Sequence, residues 1–161
     1  MIDVELVGVR VEIPGNTPVV LLRALDGSRR QLPILIGDTE ARAIVFALDG
    51  VPTPRPLTHD LLVDAIAELG ATIESIEITD LRDRTFFADL RLLRGDEHLV
   101  ISSRPSDAVA IAVRVGCPIR VADSVMDAAG FVEEPEERPS DEMLEQFKEF
   151  IETLTPEDFN D

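Results

Sequence analysis

The stretch "SDAVAIAVRVG" at 106–116 is apolar almost all the way round a helix. A helix of that kind has no wet face to present, so it must be packed on several sides. It sets the centre of the fold, and the rest of the chain has to supply its cover. Upstream, "TIESIEITDL" (72–81), "TFFADLRLL" (85–93) and "HLVISS" (98–103) are separated by short polar turns and read as an antiparallel meander. In the middle segment Phe86, Ala88, Leu90 and Leu92 share one face, while Asp89 and Arg91 point the other way.

The N-terminal part adds a second set of strands. Residues 2–13 alternate with period two, which predicts a strand with Val7, Val9, Val11 and Ile13 on one face. Residues 19–25 and 29–36 flank Asp-Gly-Ser, a hairpin signal because Asp-Gly tolerates positive φ. Pro33 cannot donate to a ladder and predicts an exposed or irregular edge. Asp38 can cap a helix to Leu48 with Ala41, Ile44, Val45 and Leu48 inward. After the proline-rich loop at 51–56, Thr58 can cap a second helix with Leu61, Leu62, Ala65, Ile66 and Leu69 inward and Gly70 at its end. "PIRVAD" supplies a last strand, and "SVMDAAG" a short helix ended by Gly130. This order predicts an α+β fold, an antiparallel-rich mixed sheet with packed helices, rather than a regular βαβ array. The pattern places one domain at 1–132 and an acidic linker with an amphipathic helix at 133–161, where Leu144, Phe147, Ile151 and Leu154 fall at helical spacing.

Charge separates the two parts. The chain carries −17, of which −10 falls in residues 131–161. Neither part has the basic balance of a protein that gains affinity by neutralising phosphates. There is no Trp or Tyr and only seven Phe, which disfavours an aromatic stacking platform. Cys117 is alone, which excludes an intramolecular disulfide and a cysteine zinc cluster, and its apolar setting predicts a structural thiol. No apolar run is long enough for a membrane helix, and the acidic, alternating N-terminus does not read as a signal or transit peptide. The expectation is a cytoplasmic protein without a membrane partner. Many apolar strands around a single buried helix in a small chain predict a homo-oligomer, and the tail helix is a candidate dock for a protein partner.

"RPSD" occurs at 104–107 and again at 138–141, with a relative, "RPLTHD", at 55–60. Helix-start chemistry alone can write these letters: proline suits the first turn, Ser or Thr caps, and an early Asp complements the helix dipole. The copy at 104–107 differs because it joins a strand to the most buried helix, where Arg104 and Asp107 need partners. Helix N-termini favour anions, so phosphate could bind there with help from Arg55 and Arg104. His59 can titrate near neutrality and serve as a general base. Carboxylates of Asp60, Asp107, Asp89 or Glu40 could hold Mg2+ or Mn2+, although no spacing demands it. The chain has no phosphate loop, GxGxxG, GxSxG or HExxH.

"RPLTHDLL" (55–62), "IESIEITDLRDRTFFADLRL" (73–92) and "SRPSDAVAIAVRVGCPIRV" (103–121), in that order and with "LPILIGDTEARAI" (32–44) before them, resemble the bifunctional nuclease domain family over roughly residues 1–132. The resemblance implies a nuclease, a hydrolase cutting phosphodiester bonds in DNA or RNA. It implies catalytic roles for His59, Asp60 and Asp107, and phosphate binding by Arg55, Arg104 and Ser106. A metal, Mg2+ or Mn2+, would lie on Asp60 and Asp107, with Glu40 and Asp89 as further ligands. Two alternatives stand beside it: a non-enzymatic oligomeric interaction protein, and a small-anion-binding regulatory module.

Overall fold

The computed structural model describes residues 1–134, together with 145, 146, 148 and 149. The tail helix expected at 141–154 therefore lies largely outside the described residues, as does the second RPSD phrase. Eight strands form one mixed sheet: β1 (Ile2–Glu12), β2 (Thr17–Ala24), β3 (Arg30–Leu35), β4 (Ala71–Arg82), β5 (Thr85–Arg94), β6 (Glu97–Ser103), β7 (Ile119–Val121) and β8 (Phe131–Val132). Within residues 1–134 four helices accompany them: α1 (Asp38–Leu48), α2 (Thr58–Glu68), α3 (Pro105–Val115) and α4 (Asp123–Ala129). The spatial order is β6-β5-β4-β7-β1-β2-β3-β8. Only β4 and β7 run parallel; every other neighbouring pair is antiparallel. The expected α+β class and antiparallel-rich mixed sheet are both present.

Short β7 is the piece that joins two meanders into one sheet. It pairs with β1 through Ile2–Val121 and Val4–Ile119, and with β4 through Ile76–Ile119 and Ile78–Val121. Those six side chains are buried and enter one core with Leu22, Leu32, Ala88 and Leu90 from the other strands. The all-round apolar helix α3 completes that core: Ser106 and Ala108–Ala112 are buried along it. Pro105 starts α3 where an amide would be orphaned anyway, and Gly116 at φ +72 ends it in the left-handed region.

Two expected faces differ, and the helix caps fall one residue earlier than expected, on Gly37 and Leu57, with Leu48 at the end of α1 exposed. In β1 the register shifts between Leu6 and Gly8, a bulge at a glycine with φ +152. The core side is therefore Ile2 and Val4, joined by Leu6 and Val9, while Val11 and Ile13 are exposed. In α2 only Ile66 is buried, with Val63 half-buried against the core; Leu61, Leu62 and Leu69 stand in solvent. The reason is polar. The first turn of α2 is fixed by the contacts described next, and they turn the leucine stripe outward. Pro33 behaves as expected: β8 covers β3 only at Arg30 and Gln31, so the edge beside Pro33 is free.

Candidate functional site

The polar residues of α3 explain how the site is assembled. Asp107 and Arg114 are seven residues apart, about two helical turns, and so share one face of an otherwise apolar helix. The first turn of α2 lies across that face. His59 Nε2–H donates to Asp107 Oδ1 at 2.9 Å, and Arg114 Nε–H donates to Asp60 Oδ1 at 2.6 Å. The phrases RPLTHD and RPSD, far apart in sequence, are thereby brought together.

Asp107 is the hub of one group. Arg104 reaches it through Nε to Oδ2 at 2.7 Å and through Nη2 to Oδ1 at 3.1 Å. Arg104 Nη2 also meets Glu40 Oε1 of α1 at 3.0 Å. The result is a continuous chain Glu40–Arg104–Asp107–His59. Burial opposes ionisation of Asp107, but hydrogen bonds from Arg104 and His59 and their charge outweigh it and hold the carboxyl below its usual range. An ionised Asp107 can only accept, so the Nε2 that faces it carries a proton, and Nδ1 is the ring nitrogen turned away from it. The His59 side chain is 12% exposed, and nothing among the described residues bonds Nδ1.

Asp60 belongs to a second, structural group. Its Oδ1 takes the Arg114 guanidinium, and its Oδ2 accepts the Leu57 amide at 2.9 Å, closing the start of α2. These hydrogen bonds hold its carboxyl below the usual range as well. Arg114, 9% exposed, spends its other nitrogens on the carbonyls of Ala110 at 2.8 Å and Ala43 at 3.1 Å. One guanidinium thus ties α1, α2 and α3 together. The sequence reading missed Arg114; the signal available was its two-turn spacing from Asp107.

The remaining candidates are placed as follows. Ser106 is buried in the first turn of α3, in the wall of a cleft of about 360 Å3 that Arg104 also lines. His59 lines a different cleft, of about 560 Å3, with Arg42, Thr39 and Thr58. Arg104 lines the first cleft and His59 the second, so the Glu40–Arg104–Asp107–His59 chain runs from one to the other. Arg55 is exposed in the loop between α1 and α2, and no carboxylate among the described residues pairs with it. Asp89 does not join the group. On β5 it alternates with Ala88 and Leu90, which face the core, and it lies opposite Glu77 on the face where Glu77 pairs with Arg91 at 2.8 Å.

The donor set does not fit Mg2+ or Mn2+ as arranged. No three His, Cys, Asp or Glu side chains converge among the described residues. The carboxylates of Glu40, Asp60 and Asp107 are each engaged by a guanidinium, which occupies the place a cation would need. Arg42 and Arg84 are cations that sequence reasoning overlooked: each lines a cleft and has no carboxylate partner among the described residues. Cys117 is half-buried, and burial pushes its thiol up, in keeping with a structural role. No helix among the described residues is long and apolar enough to cross a membrane.

Comparison with known proteins agrees with this arrangement of phrases. The profile of the bifunctional nuclease domain matches residues 20–134. An uncharacterized protein of Mycobacterium tuberculosis is 47% identical over 163 aligned positions, covering 98% of this chain and 97% of that protein. Bifunctional nuclease 2 of Oryza sativa subsp. japonica is 29% identical over 116 residues, 70% of this chain and 36% of its own length. Bifunctional nuclease 2 of Arabidopsis thaliana is 30% identical over 114 residues, 68% of this chain and 35% of its own length. The chain thus spans about a third of the plant relatives it matches. With the profile covering most of the chain, and His59 and Asp107 both inside it, this protein belongs to the bifunctional nuclease domain family.

Proposed function

We propose that the chain hydrolyses phosphodiester bonds of DNA or RNA at the His59–Asp107 pair. The observation that carries this reading is the 2.9 Å hydrogen bond between them, made across two helices and backed by Arg104. An orienting carboxylate, a histidine with a free ring nitrogen and a cleft beside it are the parts of a general-base site. In this reading a water lies against Nδ1 of His59 with the scissile phosphate beyond it. The water oxygen attacks phosphorus, its proton passes to Nδ1, and the P–O bond opposite breaks as the leaving oxygen takes the electron pair. Asp107 stabilises the imidazolium that forms. Arg42, in the wall of the same cleft, faces the charge that builds on the phosphoryl oxygens, while Arg104 acts through Asp107. Asp60 holds the helix that carries His59, through Arg114, and stays out of the chemistry. Because the carboxylates are committed to arginines, no step is routed through a metal.

The test is cleavage of single-stranded RNA and DNA by the purified full chain. His59→Ala and Asp107→Asn should each abolish cutting with circular dichroism unchanged; cutting that survives both sinks the proposal.

A second reading, an interaction protein that assembles with itself, is favoured by α2. Leu61 at 61% and Leu69 at 75% exposure, with Leu62 beside them, form an uncovered apolar stripe. Sedimentation of the wild type against Leu61→Asp/Leu69→Asp tests it: a wild-type oligomer that the pair dissociates supports this reading, and a wild-type monomer ends it.

A further inference from the structure

The β4–β5 turn places a second set of ligand-binding groups beside the site. Asp83 and Arg84 are its two central residues, with φ +49 and +62. Glycine or asparagine would adopt that conformation at least cost, and an arginine there is uncommon. Arg84 lines two clefts at once. The first, of about 360 Å3, has Arg84, Thr85, Arg104 and Ser106 in its wall, at the N-terminus of α3. Ser106 is only 7% exposed, and its hydroxyl has no hydrogen-bond partner among the described residues. No side-chain oxygen among the described residues is sealed off without a partner, so this hydroxyl reaches solvent, and Ser106 lines the cleft. The Arg84 guanidinium, two hydroxyls and the free amides of a helix start are the donor set for a phosphate, with Arg104 beside them already shared between Asp107 and Glu40.

The second cleft, of about 370 Å3, shares Leu35, Arg84 and Phe86 with the first and continues past them along Val19, Pro33 and Leu81. Its wall is mostly apolar, with Glu12 as its acid. One aromatic ring, Phe86, therefore stands between a cationic, donor-rich end and an apolar end. A nucleotide has that polarity: a phosphate, then a flat base that stacks on aromatic and apolar surface.

We infer that the groove formed by Arg84, Phe86, Arg104 and Ser106 binds one nucleotide unit of a single nucleic-acid strand, its phosphate against Arg84 and Ser106 and its base against Phe86. The inference rests on the proposed hydrolytic reading for its ligand class, and it adds a subsite on the far side of Arg104 from His59. A base paired in a duplex cannot enter an apolar cleft, so the groove selects single strands. The groove also answers the scarcity of aromatic residues: a single ring suffices for a single base.

The experiment is fluorescence anisotropy of a labelled single-stranded oligonucleotide at low ionic strength. The full chain carries His59→Ala so that the probe stays intact. Adding Arg84→Ala should weaken binding about tenfold or more, and Arg84→Lys should restore part of it. Phe86→Leu, which keeps an apolar side chain in place, should weaken binding severalfold. A nucleoside monophosphate should displace the probe where the nucleoside does not, and the matching duplex should bind more weakly than the strand. Unchanged affinity in Arg84→Ala, or a duplex bound as tightly as the strand, overturns the groove. The two readings fail separately. Arg84-dependent binding by a wild type that never cuts removes the hydrolysis and keeps the groove. Cutting with a KM indifferent to Arg84→Ala removes the groove and keeps the hydrolysis.

Discussion

Replacing Arg114 with methionine should destabilise the domain by about 2–4 kcal/mol, the sum of its hydrogen bonds discounted because the Asp60 partner is 36% exposed and stays solvated once the arginine is gone. The magnitude follows from its contacts. The side chain is 9% exposed and makes a 2.6 Å charged hydrogen bond to Asp60, worth about 1.5–3 kcal/mol. Two further bonds, to the Ala110 and Ala43 carbonyls, contribute about 1 kcal/mol each. Methionine retains most of the packing volume, so the loss is chiefly polar. Urea unfolding of the full chain should show a lower midpoint with an unchanged m-value. A double-mutant cycle with Asp60→Asn should return a coupling of about 1–3 kcal/mol. The sign with pH is fixed as well. The folded Asp60 carboxyl lies below its unfolded value of about 3.9. Its contribution is therefore complete above that value and is lost as pH falls through the folded value, so wild type and Arg114→Met should converge in acid. A variant that unfolds at the wild-type midpoint at neutral pH would refute the role assigned to Arg114.

Gly130→Ala should cost about 1–3 kcal/mol by thermal unfolding, because a Cβ there would run into the Met126 carbonyl oxygen, a backbone atom that cannot swing aside. Gly37→Ala should be milder: the atom it meets is the Glu40 carboxylate end, which can move. If Gly37→Ala proves as damaging as Gly130→Ala, Glu40 is held more rigidly than its single contact to Arg104 implies. Asp107, like Asp60, should contribute stability that is complete above the unfolded carboxylate value and lost below it, read as an acid limb that Asp107→Asn flattens.

Local pattern carried much of this fold. The stripe in 38–48 and the glycine after it delimit α1 at Asp38–Leu48, and Asp-Gly-Ser marks the β2–β3 hairpin. What the pattern could not convey was tertiary. A bulge at Gly8 shifts which residues of β1 face inward, and no period-two count registers an extra residue. The leucine stripe of α2 reads as a core face, yet His59 and Asp60 fix the helix with much of that stripe outward. The candidate cluster was legible as phrases, because RPLTHD and RPSD supply His59, Arg104 and Asp107, which the fold brings together. Which carboxylate orients the histidine and which holds the scaffold depends on where Arg114 sits, and one arginine in an apolar helix announces nothing about its partner. Arg42 and Arg84 were missed for the same reason: they have no motif, and only the fold brings them to the clefts.

The central claim is that His59, oriented by Asp107, performs hydrolysis, while Asp60 serves the scaffold. Single-turnover cleavage of a single-stranded RNA by wild type, His59→Ala and Asp60→Asn, each preparation first shown to be folded, tests it most directly. The account predicts that His59→Ala loses about 10²-fold or more of the rate, while the folded fraction of Asp60→Asn cuts nearly as fast as wild type. Equal rates for wild type and His59→Ala, or a well-folded Asp60→Asn without activity, would contradict it.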